Sequence, residues 1–403
     1  MVGGVAVVAG EAVDAAGVAG TAVATSGANS SLQSPIDPLL GLALLAFLAL
    51  YLPGILELYG REPGVASRIG PFRFLVNRGK SNFEEAFYSL SRKHPDASLS
   101  GEVFTYFDTF GGQVLPDLSA FPRCVELIGR AVTDEFDDKL ALALRLQATG
   151  CEGAFPQSFE SARAALQATD GQQSAIFFLK LPHQSGGTGM RVVRREDLRE
   201  LSLGEPPAQP LPTVQREGGT IAGHEERLVV QRAVQDLELI DGCKFVIRFY
   251  LLIHDGELHL HFRGIVVVHG ALYDRDSVDY KVQVQHDWFD PESKARLEAL
   301  QDRPEAARWC GAIARRISDI IPALQPLVLA SSRDRFTVAG GDALIELGGE
   351  ARLVELNMYP NLYTDNLTID TKVNQPIMED IISKVMIGEV SAEFVQVMEA
   401  SSR

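Results

Sequence analysis

The longest uninterrupted apolar stretch runs from Leu39 to Leu56, eighteen residues without a charged side chain. That is close to the ~20 residues needed to cross a bilayer core of ~30 Å. Upstream, residues 1–37 are mostly Ala, Gly, Val, Ser and Thr with no sustained period, which predicts a disordered tail. Lys and Arg are absent before the apolar run, whereas Arg61, Arg68 and Arg73 follow it. A one-sided excess of basic residues marks the cytoplasmic side of a span. The pattern therefore predicts a single-pass anchor at 38–57 with the remainder of the chain in the cytoplasm. The competing reading is a buried helix of the folded domain, interrupted at Pro53-Gly54.

Past this run, apolar residues at helical spacing from Ser81 to His94 and from Asp134 to Thr149 predict helices in an N-terminal α/β lobe covering 61–170. From 171 to 390 the pattern changes to apolar strand runs punctuated by turn signals, and 391–403 reads as a tail. The segment from Leu201 to Glu226 carries four prolines, followed by Gly218, Gly219 and Gly223, and reads as an exposed loop. Asp241-Gly242 leads into a strand at 244–253, and Asp255-Gly256 joins it to a second at 257–269. On that second strand His259, His261 and Arg263 share a face, read as a solvated or cavity-lining polar face. No third ligand is spaced to make the histidine pair a zinc site.

The 403-residue length allows a multi-lobed unit. The excess of 53 Asp+Glu over 37 Lys+Arg, a net charge of −16, argues against non-specific nucleic-acid binding. It also disfavours a strongly acidic protein partner unless positive charge is clustered locally. Four cysteines with no CxxC pair indicate neither a zinc site nor a disulfide framework, so a reducing compartment is expected.

Three segments carry candidate chemistry. In AIFFLKLPHQSGGTGMRVV (175–193), a strand ending in Lys180 precedes a turn with Gly186, Gly187 and Gly189. Such a turn lets backbone N–H groups approach phosphate oxygens while the lysine supplies a point charge. Leu228–Val234, with Gln231 and Arg232, reads as a strand able to offer backbone and amide groups to an adenine. Lys244 and Arg248 lie four apart on one strand face, where two cations call for an anionic ligand such as phosphate.

The strongest local pattern is GDALIELGGEARLVELNMYPNL (341–362), two strands around Gly348-Gly349. A two-residue turn pairs Leu347 with Glu350 and, counting back, Asp342 with Glu355, with Asn357 on the same face. Asp, Glu and Asn oxygens converging there fit Mg²⁺, which takes hard oxygen ligands together with substrate phosphates.

Across roughly 135–385 the order of these elements resembles the tubulin tyrosine ligase-like family of the ATP-grasp superfamily. Lys180 followed by Gly187 and Gly189 is similar to that family's phosphate loop, and VVQRAV (229–234) to its adenine-binding strand. LIDGCKFVIRFYLL (239–252) is similar to its DGRKFDIR motif and VELNMYPNL (354–362) to its EVNxxPSL motif. The resemblance implies an α/β (α+β) ATP-grasp fold, two lobes sandwiching ATP over 171–390. It further implies that Lys180, Gly187, Gly189 and Lys244 hold phosphates, that Gln231 and Arg232 border adenine, and that Arg248 contacts the γ-phosphate or the incoming carboxylate. Asp342, Glu355 and Asn357 would hold Mg²⁺.

The implied reaction is ATP-dependent ligation of an amino acid (Glu, Gly or Tyr) to a protein carboxylate through an acyl phosphate, with tubulin the family's default acceptor. Two positions depart from the family pattern. The acidic residue of KFDIR is Val246, and an arginine associated with the amino-acid substrate is replaced, in this reading, by Val268. The alternatives are a membrane-tethered nucleotide-binding or scaffold protein whose ligase activity has lapsed, and a ligase for a non-tubulin acceptor.

Overall fold

The computed structural model describes residues 66–398 apart from 98, 100, 172–173, 183–189, 203–227 and 286–292. These fall in one compact unit, Pro63–Arg403. The apolar run at 39–56 lies outside the described residues. Among the described residues no helix is long and apolar enough to cross a membrane.

Strands β1 (Ser67–Ile69) and β2 (Phe72–Val76) open the N-terminal lobe as a hairpin, and β3 (Glu102–Tyr106) and β4 (Arg123–Leu127) extend it in parallel. Helix α1 (Lys80–Lys93) covers this sheet through Phe83 and Phe87. Their rings pack against Phe72, Phe74, Phe104 and Tyr106 at centroid distances of 4.2–6.1 Å. The helical pattern at 134–149 belongs to two helices, α2 (Arg130–Asp137) and α3 (Lys139–Ala148). They part at Asp138, whose side chain accepts the N–H groups of Leu140 and Ala141 and so starts a new helix.

A small four-stranded sheet follows, in the order β5 (Ser158–Phe159), β8 (Val229–Arg232), β6 (Ile176–Lys180), β7 (Arg191–Arg194). Because β5 pairs with β8, this sheet begins before residue 171, the expected start of the second unit. Helices α4 (Ala162–Ala168) and α5 (Arg195–Ser202) pack on it through Ala165 and Leu198.

The large sheet is centred on β9 (Cys243–His254). Asp255 and Gly256, both at positive φ, turn it into β10 (Glu257–His261). The expected strand at 257–269 is broken at Gly264, where a Cβ would lie 2.6 Å from the Arg248 carbonyl oxygen. The chain resumes as β11 (Ile265–Leu272), which pairs with β9 further up and with β12 (Arg296–Ala299). On the other side of β9 lies β13 (Arg335–Ile345), which also meets β4 in parallel and so joins the two lobes through one sheet. β14 (Ala351–Met358) pairs with β13. Within 391–403, expected as a tail, Phe394–Met398 forms β15 on the edge of β10, where the Phe394 ring packs on His259 and His261.

His259 and His261 are buried and not solvated. They meet Glu257 and Asp380 at 3.0 Å each. Arg263 lies beyond the strand and bonds the Lys372 carbonyl and Glu393.

Candidate nucleotide and metal site

The register of three neighbouring strands sets the site. Arg248 on β9 is opposite Asp342 on β13, and Asp342 is opposite Glu355 on β14, so the three side chains form one row on one sheet face. The next row is Tyr250, Gly340 and Asn357. The expected pairing of Asp342 with Glu355 is therefore found, but by a different route. The hairpin loop has three residues, Leu347 to Gly349, closed between Glu346 and Glu350 with Gly349 at φ 80°. That shifts the ladder by one, and a bulge at Val354 shifts it back. Without the bulge, alternation would turn Glu355 and Asn357 toward the opposite, core face.

Within the row, Arg248 binds Asp342 through two bonds, Nε to Oδ1 at 2.6 Å and Nη2 to Oδ2 at 3.1 Å. Asn357 Nδ2 donates to Glu355 Oε1 at 3.0 Å. Lys139, the first residue of α3, places Nζ 3.5 Å from Glu355 Oε2. Burial alone would raise the Glu355 pKa, but Lys139, Lys180 and the Asn357 bond together hold it down to about 2. Among the described residues no group of three or more His, Cys, Asp or Glu could hold a metal ion. The trio Asp342, Glu355 and Asn357 offers two carboxylates and an amide oxygen, hard donors that suit Mg²⁺ only when phosphate and water complete its shell.

Lys180 and Lys244 are both buried, their ammonium groups lying 5.8 and 5.2 Å from the centre of the Phe178 ring. Lys180 Nζ donates to Gln231 Oε1 at 2.6 Å, and Gln231 Nε2 donates to Ser158 Oγ at 3.1 Å. Lys244 Nζ donates to the Gln283 carbonyl at 2.8 Å, from the short helix α6 (Tyr280–Gln283). Burial lowers Lys180 to about 8, with Lys139 acting in the same direction and Glu355 against it. Burial and the neighbouring Lys180 lower Lys244 to about 7.

A cavity of about 280 Å³ lies between the small sheet and β14, near the lower end of small-molecule pockets at about 300 Å³. Lys180, Gln231, Lys139 and Glu355 supply polar groups, and Phe136, Leu142, Phe155 and Val229 supply apolar wall. Gly186, Gly187 and Gly189 lie outside the described residues. Arg232 is not part of the cavity lining and bonds Gln157. The backbone N–H groups of Arg232 and Ala233 are already taken by Gln157 and Ile176, and the Gln231 amide by Lys180 and Ser158. The strand therefore offers less to an adenine than its sequence promises.

Of the two departures, Val246 lies on the face of Lys244 and Arg248, directly opposite Val267. Val268 pairs with Phe245 and so occupies the other face, away from the site. Sequence reasoning missed Lys139 and Phe178. Lys139 is hidden because DEFDDKLALAL reads as one helix, although Asp138 is a ready N-cap.

No protein-family model and no curated protein matches the sequence. Among solved structures, the C-terminal domain of K. lactis Pby1 is similar, with a TM-score of 0.50 and 14% identity. The likeness covers 82% of this chain and 99% of that one. That protein is described as an ATP-grasp enzyme interacting with the mRNA decapping enzyme Dcp2. The fold is ATP-grasp-like. An identity this low carries fold and nothing further, so the chemistry rests on the side chains themselves.

Proposed function

We propose that the chain is an ATP- and Mg²⁺-dependent carboxylate–amine ligase resembling the tubulin tyrosine ligase-like enzymes, adding an amino acid to a protein acceptor. The observation that carries this reading is the row Arg248, Asp342 and Glu355, whose Glu355 lines a cavity between two sheets together with the buried Lys180; Lys244 is buried nearby but outside the cavity lining, as are Arg248 and Asp342. Lys180 and Lys244 would bind phosphate oxygens, each exchanging a protein carbonyl for an anion. Asp342, Glu355 and Asn357 would hold Mg²⁺, which supplies positive charge to the phosphates when bound. Arg248 would share its guanidinium between Asp342 and the acceptor carboxylate, orienting it toward the γ-phosphate. The carboxylate oxygen takes the phosphoryl group, ADP leaves, and an amine displaces phosphate to form the amide.

A second reading, nucleotide binding without ligation, is favoured by the apolar Val246–Val267 pair where the related enzymes carry charge beside the ATP site. Incubating the protein with ATP, Mg²⁺, mixed amino acids and candidate acceptors, tubulin among them, separates the two. Mass spectrometry should find an acceptor heavier by one amino-acid residue, with stoichiometric ADP. ATP binding with no adduct and no ADP would select the second reading. The run at 39–56 is proposed to anchor the protein, with the ligase domain in the cytoplasm.

A further inference from the structure

β14 ends at Met358, directly after Glu355 and Asn357, and its exit is tied to the N-terminal lobe. The Met358 N–H donates to Asp137 Oδ1 at 2.9 Å. The Tyr359 carbonyl accepts from Arg78 Nη1 at 2.6 Å. The Pro360 carbonyl accepts from the Tyr106 hydroxyl at 2.9 Å, and that of Leu362 from Asn82 Nδ2 at 3.0 Å.

Tyr359 is the centre of this staple. It stands at φ 59°, a left-handed conformation uncommon for a residue with a large side chain. Its side chain is buried. The hydroxyl donates to the Ile128 carbonyl at 2.7 Å and lies 2.9 Å from Thr133 Oγ1. Its ring faces the Arg130 guanidinium at 4.7 Å, which is itself paired with Asp108 and Asp134. A bulky residue held in a sparsely populated conformation persists only where its surroundings over-determine it, and such positions cluster at functional sites.

We propose that Tyr359 is a positioning residue for the metal–nucleotide site. By fixing the left-handed exit of β14 against the N-terminal lobe, it sets the direction in which Asn357 and Glu355 project. The inference rests on the reading of Asp342, Glu355 and Asn357 as Mg²⁺ ligands. Glycine would take the same φ without strain, so a tyrosine there is explained by its side-chain contacts and not by backbone need.

The test uses the whole protein and three variants. Tyr359→Phe removes only the hydroxyl. Thr133→Val removes one of its partners. Thr169→Val is the structural control, since its buried hydroxyl donates to the Ala165 carbonyl at 2.7 Å on the small sheet's helix, away from the site. Mg²⁺ is titrated at saturating ATP, and ATP is titrated separately in chelator. Tyr359→Phe should weaken Mg²⁺ by about 10-fold, the usual cost of losing a group that orients ligands, with metal-free ATP affinity unchanged. Thr133→Val should shift it in the same direction and serves alone if the first variant does not fold. Thr169→Val should lower the melting temperature and leave the Mg²⁺ titration as it was. Wild-type Mg²⁺ dependence in folded Tyr359→Phe or Thr133→Val overturns the inference while leaving the ligase reading intact. If the unaltered protein binds no Mg-ATP, both fall.

Discussion

Lys180 and Lys244 carry ammonium groups in a setting that disfavours charge until an anion arrives. Their folded-state values of about 8 and about 7 lie below the ordinary 10.5. Between those values and 10.5 the unfolded chain holds more protons than the folded one, so stability should rise as pH climbs through that window. Below about pH 7 both states are protonated and the full cost of burial is present. Chemical denaturation from pH 6.5 to 9.5 should show this slope, and Lys244→Met should flatten it. Phosphate binding favours the ammonium form, so Mg-ATP should bind with net proton uptake at pH 8 and little below pH 6. Calorimetry in buffers of different ionisation enthalpy reads this directly, and uptake that is absent at pH 8 would remove the lysines from the phosphate site. At the same scale, Glu355→Gln keeps volume but removes an anionic ligand. It should weaken Mg²⁺ by at least the ~10-fold that loss of an orienting partner costs, with unchanged circular dichroism.

The β13–β14 hairpin shows what a sequence reveals at the scale of elements and what it conceals. Alternation in ALIEL and ARLVELN announced two strands, but the expected pairing of Asp342 with Glu355 assumed a two-residue turn and holds only because a bulge offsets the longer loop. The loop was not legible, because Gly348-Gly349 reads equally as a two- or a three-residue turn, and the bulge at Val354 that restores the register leaves no local signal. Asp255-Gly256, by contrast, signalled a hairpin, and a two-residue loop closes there between His254 and Glu257. The burial of His259 and His261 was invisible because Phe394, which packs on both rings, and Asp380, which pairs with His261, are more than a hundred residues away. Gly341 supports the same hairpin: a Cβ there would lie 2.0 Å from Cζ of the buried Phe249 ring. Gly341→Ala should cost about 1–3 kcal/mol through overpacking, measured by the denaturation midpoint; an unchanged midpoint would show that the sheet relaxes around it.

For the whole molecule, the ATP-grasp-like architecture was recognisable from the order of short motifs, because those at 229–234, 239–252 and 354–362 each fall on one strand, β8, β9 and β14. The strand at 394–398 was not, since it depends on what the chain packs against, whereas the helix break at Asp138 carries a local N-cap signal that the continuous helical spacing masks. The proposed anchor has its own check. If 39–56 spans a bilayer, the protein should remain in membranes through carbonate extraction, and protease added outside sealed vesicles should digest the ligase domain. Recovery in the soluble fraction would remove the membrane from the account.

The central claim is that Lys180, Lys244 and the row from Arg248 to Glu355 form one Mg-ATP site. Titrating the protein with ATP in the presence and absence of Mg²⁺ by calorimetry tests it most directly. Saturable heat that strengthens with Mg²⁺, is lost in Lys180→Met and loses its Mg²⁺ enhancement in Glu355→Gln is the expected result. No heat and no thermal shift at millimolar Mg-ATP would contradict it.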